Sequence, residues 1–286
     1  MKHLMFFVII LFSLSLTAQQ FEVGLLFGIS TYQGDIGPSS NRLDLNDIHP
    51  SFGIFGRYNI NRFITAKANF TYAKISATDA QTIDDSRRKR NLSFQSKVYE
   101  LGLTGEFNIL GYEAWGLQKR FSPYLFGGIA VFYHNPETTY QGQLVELQPL
   151  GTEGQGMDGF AEKYKLIQFA IPMGVGVKIA ISERINIGLE AGTRKTFTDY
   201  LDDISTNYVN YNQLLLGNGA LAAELGNRTG EYLGTEPINV TTGTQRGNPD
   251  ADDWYFIGGV TVSYNIFGNS GGLGGGGKDN FGCPTF

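Results

Sequence analysis

Cysteine is almost missing from this 286-residue chain: Cys283 is the single copy. A chain with one cysteine has no internal disulfide framework, so the disulfide-stapled class of small exported domains is excluded. Histidine is nearly as scarce. Of three copies, His3 lies in the leader described below, which leaves His49 and His134. Beyond that leader no segment reaches 18 consecutive apolar residues, so no helix is expected to anchor the chain in a membrane. Basic charge is not in surplus either. The formal net charge is −5, which gives no reason to expect nucleic acid as a partner.

What is present points elsewhere. Lys2 and His3 make a short basic start, Leu4 to Leu16 an apolar core, and Thr17-Ala18 a small-residue cleavage site, so residues 1–18 read as a signal peptide. About 270 residues then remain for one large exported domain. The chain holds 38 glycines, 21 phenylalanines and 15 tyrosines. Abundant glycine and aromatics without apolar helices suit an outer-membrane β-barrel. A soluble β-sandwich is the competing reading.

The stretch from Ser122 to Glu137 (SPYLFGGIAVFYHNPE) is central. It runs about a dozen residues without charge, too short for a spanning helix and suited to a tilted membrane strand. Its β-branched and aromatic content favours a strand, and Gly127-Gly128 marks a bend, a bulge or a crowded interior. Both faces are apolar, so its lipid side is not legible. Seven further strands are expected: Phe21–Tyr32, Ser51–Asn59, Phe63–Ile75, Ser93–Ile109, Tyr164–Ile181, Ile185–Lys195 and Trp254–Phe267. In each, apolar residues alternate with small or polar ones. Phe21, Val23, Leu25, Phe27 and Ile29, for example, share one face, and Glu22, Gly24, Gly28 and Ser30 the other.

Connections alternate long, short, long, medium, long, short, long, which a sandwich does not require and an outer-membrane barrel does. The expected fold is an all-β, eight-stranded antiparallel transmembrane barrel over residues 19–267, with both termini in the periplasm. Closure removes sheet edges and satisfies the backbone in lipid. Eight strands leave a lumen filled by side chains. Arg57, Lys67, Glu100, Glu106, Lys178, Glu190 and Arg194 fall on inward positions and are expected to form a salt-bridged plug. The third loop, about Asn135 to Lys163, and the fourth, Thr196 to Asp253, read as long polar loops, with a short helix at Tyr211–Leu225. Residues 268–286 form a glycine-rich periplasmic tail, whose ~20 residues reach ~25 Å.

Little of this resembles catalytic machinery. His134 ends the central strand with no serine-containing motif beside it, and no catalytic residue, metal or cofactor is expected. Asp199, Asp202, Asp203, Asp250, Asp252 and Asp253 flank loop four. They contain the oxygen ligands of a calcium site, but a solvated loop base fits their spacing better. Arg87, Arg88, Lys89 and Arg90 lie in the second outer loop near the membrane rim, where they are candidates for lipopolysaccharide phosphate or for a solvated basic loop. An exported unpaired Cys283 suggests an intermolecular disulfide or a reactive thiol.

Several motifs carry a resemblance over nearly the whole mature chain. Tyr32-Gln-Gly-Asp35, the central Pro-Tyr-Leu-Phe-Gly-Gly with Asn135-Pro136, Leu150 to Gly156 (LGTEGQG), Ile171 to Gly176 (IPMGVG), Glu190 to Asp203 (EAGTRKTFTDYLDD) and the ending Cys283-Pro284-Thr285-Phe286 resemble the PorG-type barrels of the type IX secretion system. The resemblance implies a non-enzymatic outer-membrane subunit that holds a periplasmic ring of the secretion and gliding machinery together with an outer-membrane lipoprotein. It also implies that Cys283, with Pro284 and Phe286 beside it, meets that lipoprotein. Membrane lipid and lipopolysaccharide are further expected partners. A small surface-binding or adhesion-type barrel and a lipid-modifying enzyme built on His134 are the alternatives.

Overall fold

The computed structural model describes residues 21–37, 47–113 and 119–266. The leader, the tail and, with the tail, Cys283, Pro284 and Phe286 lie outside the described residues.

Eight long strands form the frame: β1 (Phe21–Gln33), β2 (His49–Asn59), β3 (Ile64–Thr78), β4 (Ser93–Asn108), β5 (Phe121–Tyr133), β8 (Ile167–Ala180), β9 (Ile185–Thr196) and β10 (Trp254–Asn265). Each pairs antiparallel with the next, and β1 pairs back onto β10, with Glu22 opposite Asn265 and Gln33 opposite Trp254. The sheet is therefore closed and has no free edge within the frame.

The short connections share one end of the barrel. Between β2 and β3 the Asn61 side chain accepts from the backbone N–H of Phe63 (2.8 Å) and Ile64 (2.9 Å). Between β8 and β9 the Ser182 hydroxyl accepts from Arg184 (3.2 Å) and Ile185 (3.0 Å). Such side-chain turns reverse the chain in the fewest residues. All long loops leave the opposite end.

Alternation decides the two faces. On β1, Leu25 and Ile29 are 47% and 53% exposed on the outside, whereas Glu22 and Ser30 are buried in the lumen. The same outward row continues through Ile54, Leu101, Leu103, Ile129, Phe169, Val175 and Leu189 around the wall. A continuous apolar surface of this size is stable only in hydrocarbon, and the closed barrel keeps every strand hydrogen bond internal there. This is the fold of an outer-membrane β-barrel. β5 turns Leu125, Ile129 and Val131 to lipid and Tyr124, Phe126 and Phe132 inward.

The Gly127-Gly128 pair makes no bulge. Phe126 sits opposite Gly174, Gly127 opposite Met173 and Ala130 opposite Ala170 in one continuous register. What the glycines serve is closeness. A Cβ on Gly128 would lie 2.1 Å from the Leu103 carbonyl oxygen, and Cβ atoms on Gly174 and Gly192 would lie 2.6 and 2.5 Å from the Phe126 ring. Phe126 thus fills the lumen over two glycines of β8 and β9. A Cβ on Gly174 would also lie 2.3 Å from the Ala191 carbonyl oxygen, so Gly174→Val is expected to push β9 and that ring away and to destabilise the barrel by at least about 1–3 kcal/mol. A lower temperature for loss of the compact form on unboiled gels checks this; an unchanged midpoint would contradict it.

Three local differences from the sequence reading have simple causes. The third loop is not wholly irregular, because β6 (Pro136–Tyr140) and β7 (Gln143–Glu146) form a hairpin that pairs with β4 through Gln95 and Glu137. Its Gln141-Gly142 corner has φ of 48° and 78°, the two positive values that a two-residue hairpin turn needs. The basic run forms a helix, α1 (Asp85–Arg90), capped by Asp84, which accepts from Ser86 N–H at 2.9 Å. The helix expected over Tyr211–Leu225 is two helices, α2 (Tyr211–Gly217) and α3 (Ala220–Gly226), broken at Gly219 with φ 92°, and α4 (Thr229–Leu233) follows.

Candidate functional site

The lumen comes first, because alternation sends polar side chains there. Arg57 Nε lies 2.8 Å from Glu106, Lys178 Nζ 2.7 Å from Glu106, Lys67 Nζ 2.6 Å from Glu190 and Arg194 Nε 3.0 Å from Glu100. The seven charged residues read from the sequence thus all pair inside the lumen, in two groups: Arg57, Lys67, Glu106, Lys178 and Glu190 in one, with Arg57 3.7 Å from Glu190, and Glu100 with Arg194 in the other. An eighth charge, Glu22, joins them from the inward face of β1. It lies 3.9 Å from Arg57 and accepts from Asn59 (2.7 Å) and Ser263 (2.8 Å). Tyr124 donates to Glu190 at 2.9 Å and Tyr255 to Glu100 at 2.8 Å. Four cations and four carboxylates balance, which a low-dielectric lumen demands. A lumen cavity of about 10 Å³ beside Phe55, Lys67, Phe126 and Glu190 has room for about one water. This is a plug and not a channel.

Above the plug, the long loops pack into a cap whose Ile36, Leu92, Leu147, Leu201, Ile204 and Leu225 form one core with Ile75, Phe94, Phe132 and Ile257 of the upper barrel wall. Glu153 is its hub: it accepts from the N–H of Ser205 (3.1 Å), from Thr206 Oγ (2.8 Å) and from Arg246 (3.0 Å). Asp203 accepts from Thr152 (2.5 Å) and Tyr164 (2.6 Å). Arg90 reaches Asp79 at 2.7 Å and the carbonyls of Asp35 and Arg246 at 2.8 Å, tying loops one, two and four together.

The aspartates flanking loop four do not form a solvated base. Asp199, Asp202, Asp203 and Asp253 are buried, while Asp250 and Asp252 stay exposed. The spacing could not show this, because what covers them is loop one and the end of β1. The Tyr32 hydroxyl lies 2.8 Å from Asp202 Oδ2 and 2.8 Å from Asp253 Oδ1, and it accepts from Asp35 N–H at 3.1 Å. One hydroxyl has one proton to give. The second carboxyl must therefore bring a proton of its own. Burial pushes Asp202 up to about 7 and Asp203 up to about 6; burial and the neighbouring Asp202 push Asp199 up to about 9; burial and Asp202 raise Asp253. Among the described residues no three His, Cys, Asp or Glu side chains converge to hold a metal ion.

His134 is fully buried, stacked 6.2 Å from Tyr164, and burial holds its pKa down to about 4. Neither ring nitrogen has a hydrogen-bond partner of good geometry, so it activates no nucleophile here.

The basic run sits past the lipid-facing tyrosines of the wall. Tyr72, Tyr99 and Tyr133 pack side by side on the lipid-facing side, 5.4 and 6.4 Å apart between rings, and form an aromatic belt at the cap end. β3 continues six residues past Tyr72 to Thr78, which carries α1 roughly 15 Å beyond that belt. Arg90 is committed to Asp79, and Arg88 pairs with Asp85. The outward lysines nearest the belt are instead Lys74 and Lys97, opposite each other in register.

Solved structures with a similar shape are small barrels. Neisserial surface protein A matches with a TM-score of 0.43 and 10% identity, over 86% of this chain and 97% of that one. The outer membrane protein OprG from Pseudomonas aeruginosa matches with 0.39 and 12%, over 86% and 96%. Ail, the attachment invasion locus protein of Yersinia pestis, matches with 0.36 and 11%, over 86% and 98%. These are likenesses of shape, and no property of those proteins passes to this chain through them. No curated protein matches. The family model described as a domain of unknown function, DUF6089, matches residues 1–224, so the chain belongs to the DUF6089 family.

Proposed function

We propose that this barrel is a non-enzymatic outer-membrane anchor that holds a periplasmic assembly of the type IX secretion and gliding machinery, together with an outer-membrane lipoprotein. The observation that carries the anchoring role is the closed lumen: its charges neutralise one another, and its cavity has room for about one water. Such a barrel conducts nothing and offers its two ends. The short-turn end, with both termini, faces the periplasm in this reading, and the cap faces outward. The assignment to type IX secretion rests on the sequence resemblance. Its motifs supply Tyr32, Asp35, Glu153, Glu190, Arg194 and Asp199 to Asp203, which build the cap and plug. Cys283, Pro284 and Phe286 are the proposed partner contacts.

A pull-down of tagged full-length protein from detergent-solubilised membranes, with and without reductant, tests this. The expected result is a co-purifying periplasmic lipoprotein and a reductant-sensitive adduct that Cys283→Ser abolishes. A clean monomer in wild type would sink the anchoring role, and an adduct surviving in Cys283→Ser would sink the role of the cysteine.

A further inference from the structure

Charge on the outside of the barrel wall has one sign and keeps to one end. Along the eight wall strands the outward positions carry three charged side chains, Lys74 on β3, Lys97 on β4 and Lys195 on β9, and no aspartate or glutamate. All three stand at the cap end of their strands, past the apolar band. We infer that Lys74 and Lys97 form a binding site for the phosphate group of a membrane lipid.

Register makes the pair. Tyr72 lies opposite Tyr99, and two residues further along, on the same face, Lys74 lies opposite Lys97. Side chains directly opposed on antiparallel strands have Cβ atoms about 5 Å apart, and like charges there repel. The salt-bridged lysines, Lys67 and Lys178, are in the lumen, whereas the ammonium groups of Lys74 and Lys97 have no salt bridge or hydrogen bond among the described residues. Lys97 is exposed and Lys74 half-buried. The carboxylates of Asp47 and Glu137 enter one outward row further from the lipid, around Ser76 and Gln95, and no salt bridge joins either of them to the two lysines. The lysines thus stand between the tyrosine belt and the first acidic groups.

Height selects the anion. Tyrosine rings settle where hydrocarbon gives way to headgroups. Two residues of tilted strand rise about 5 Å, which carries Lys74 and Lys97 from the belt into the layer of lipid phosphates. One phosphate offers an oxygen to each ammonium and cancels their repulsion. Lys195, four strands away and opposite Trp254, has the same height but no lysine across from it; its ammonium lies 5.7 Å from the Phe197 ring. The site does not depend on the anchoring role. Where the cap faces outward, as that role has it, the lipid is lipopolysaccharide.

Native mass spectrometry of the refolded full chain in neutral detergent tests the site, with lipid A as the probe and its dephosphorylated form as the control. Wild type is expected to retain lipid A at least tenfold more than the control. Lys74→Gln/Lys97→Gln, which leaves the strand hydrogen bonds alone, is expected to lower that retention at least tenfold with the compact gel form intact. Lys74→Arg/Lys97→Arg is expected to keep it, and Arg87→Gln/Lys89→Gln, in the cap, to leave it unchanged. Phosphatidylglycerol retained as well as lipid A assigns the site to lipid phosphate in general, and a preference for lipid A assigns it to lipopolysaccharide. Equal retention of both lipid A forms by wild type, or retention unchanged in Lys74→Gln/Lys97→Gln, overturns the inference.

Discussion

Raising the pH from about 5 to about 9 is expected to loosen the outer cap while the barrel below it stays closed. The cause is the buried acid group around Tyr32. Asp202, Asp203, Asp199 and Asp253 all have raised pKa values, because burial without enough cations disfavours their charged forms. For a carboxyl whose pKa is raised in the closed state, stabilisation is complete below the ordinary value of 3.8 and is lost as pH climbs through the closed-state value. The losses build up from about 3.8 and are complete near 6 for Asp203, 7 for Asp202 and 9 for Asp199. Between pH 5 and its closed-state value near 6, Asp203 alone contributes a loss of about 1.4 kcal/mol, at about 1.4 kcal/mol per pKa unit. The field of Arg90 at Asp202 and of Arg246 at Asp203 offsets part of this, but the salt bridges of the two arginines go to Asp79 and Glu153. Hydrogen exchange of peptides spanning 197–210, corrected for intrinsic rates, reads the opening. Protection is expected to fall at least tenfold across this range, and Asp202→Asn, which keeps a hydrogen-bonding group beside Tyr32 without a charge, is expected to flatten the change. Protection that is flat or rises with pH would refute the mechanism.

The largest single loss of stability is expected inside the plug, at Glu106. This carboxylate is fully buried and serves Arg57 on one oxygen and Lys178 on the other. Removing it leaves two cations in a lumen with room for about one water, where Arg57 keeps only the longer approaches to Glu22 (3.9 Å) and Glu190 (3.7 Å) and Lys178 has no second salt bridge among the described residues. Breaking a buried ion pair from one side costs about 3–5 kcal/mol, more than the intact pair is worth, because the partner's desolvation is no longer offset. Glu106→Gln is therefore expected to lower unfolding stability in detergent and urea by that amount. Lys178→Met on the same background removes one orphaned charge and is expected to recover part of the loss, although Met replaces an ammonium that also lies 4.7 Å from the Tyr112 ring. Glu106→Gln within about 1 kcal/mol of wild type would mean that lumen water screens these charges, and the plug would have to be redrawn as a wet pore.

The two experiments act on parts of the chain that differ in how far the sequence announces them. In the barrel wall, Leu25, Ile54, Leu101 and Leu189 had to face lipid because side chains alternate every residue and hydrocarbon rejects charge. The same rule placed Arg57, Lys67, Glu100 and Arg194 inside, and loop lengths separated the two ends. On β5 the rule failed, since Tyr124 and Phe126 are as apolar as Leu125. Only their glycine neighbours across β8 and β9 show which side has room for rings.

The cap was not legible for a different reason. Tyr32 meets Asp253 across 221 residues and Arg90 meets the Arg246 carbonyl across 156, and no local spacing encodes a contact of that span. Polar loop residues look alike whether solvated or buried, so Asp202 and Asp250 could not be told apart until loop one was seen lying over one of them. The sequence by itself determined the eight wall strands, the lipid face of seven of them and seven of the eight lumen charges, because a period of two and an apolar solvent leave one arrangement. Tertiary structure decided which carboxylate serves which cation and that the loops close into a cap, because each of these depends on where chain ends meet in space.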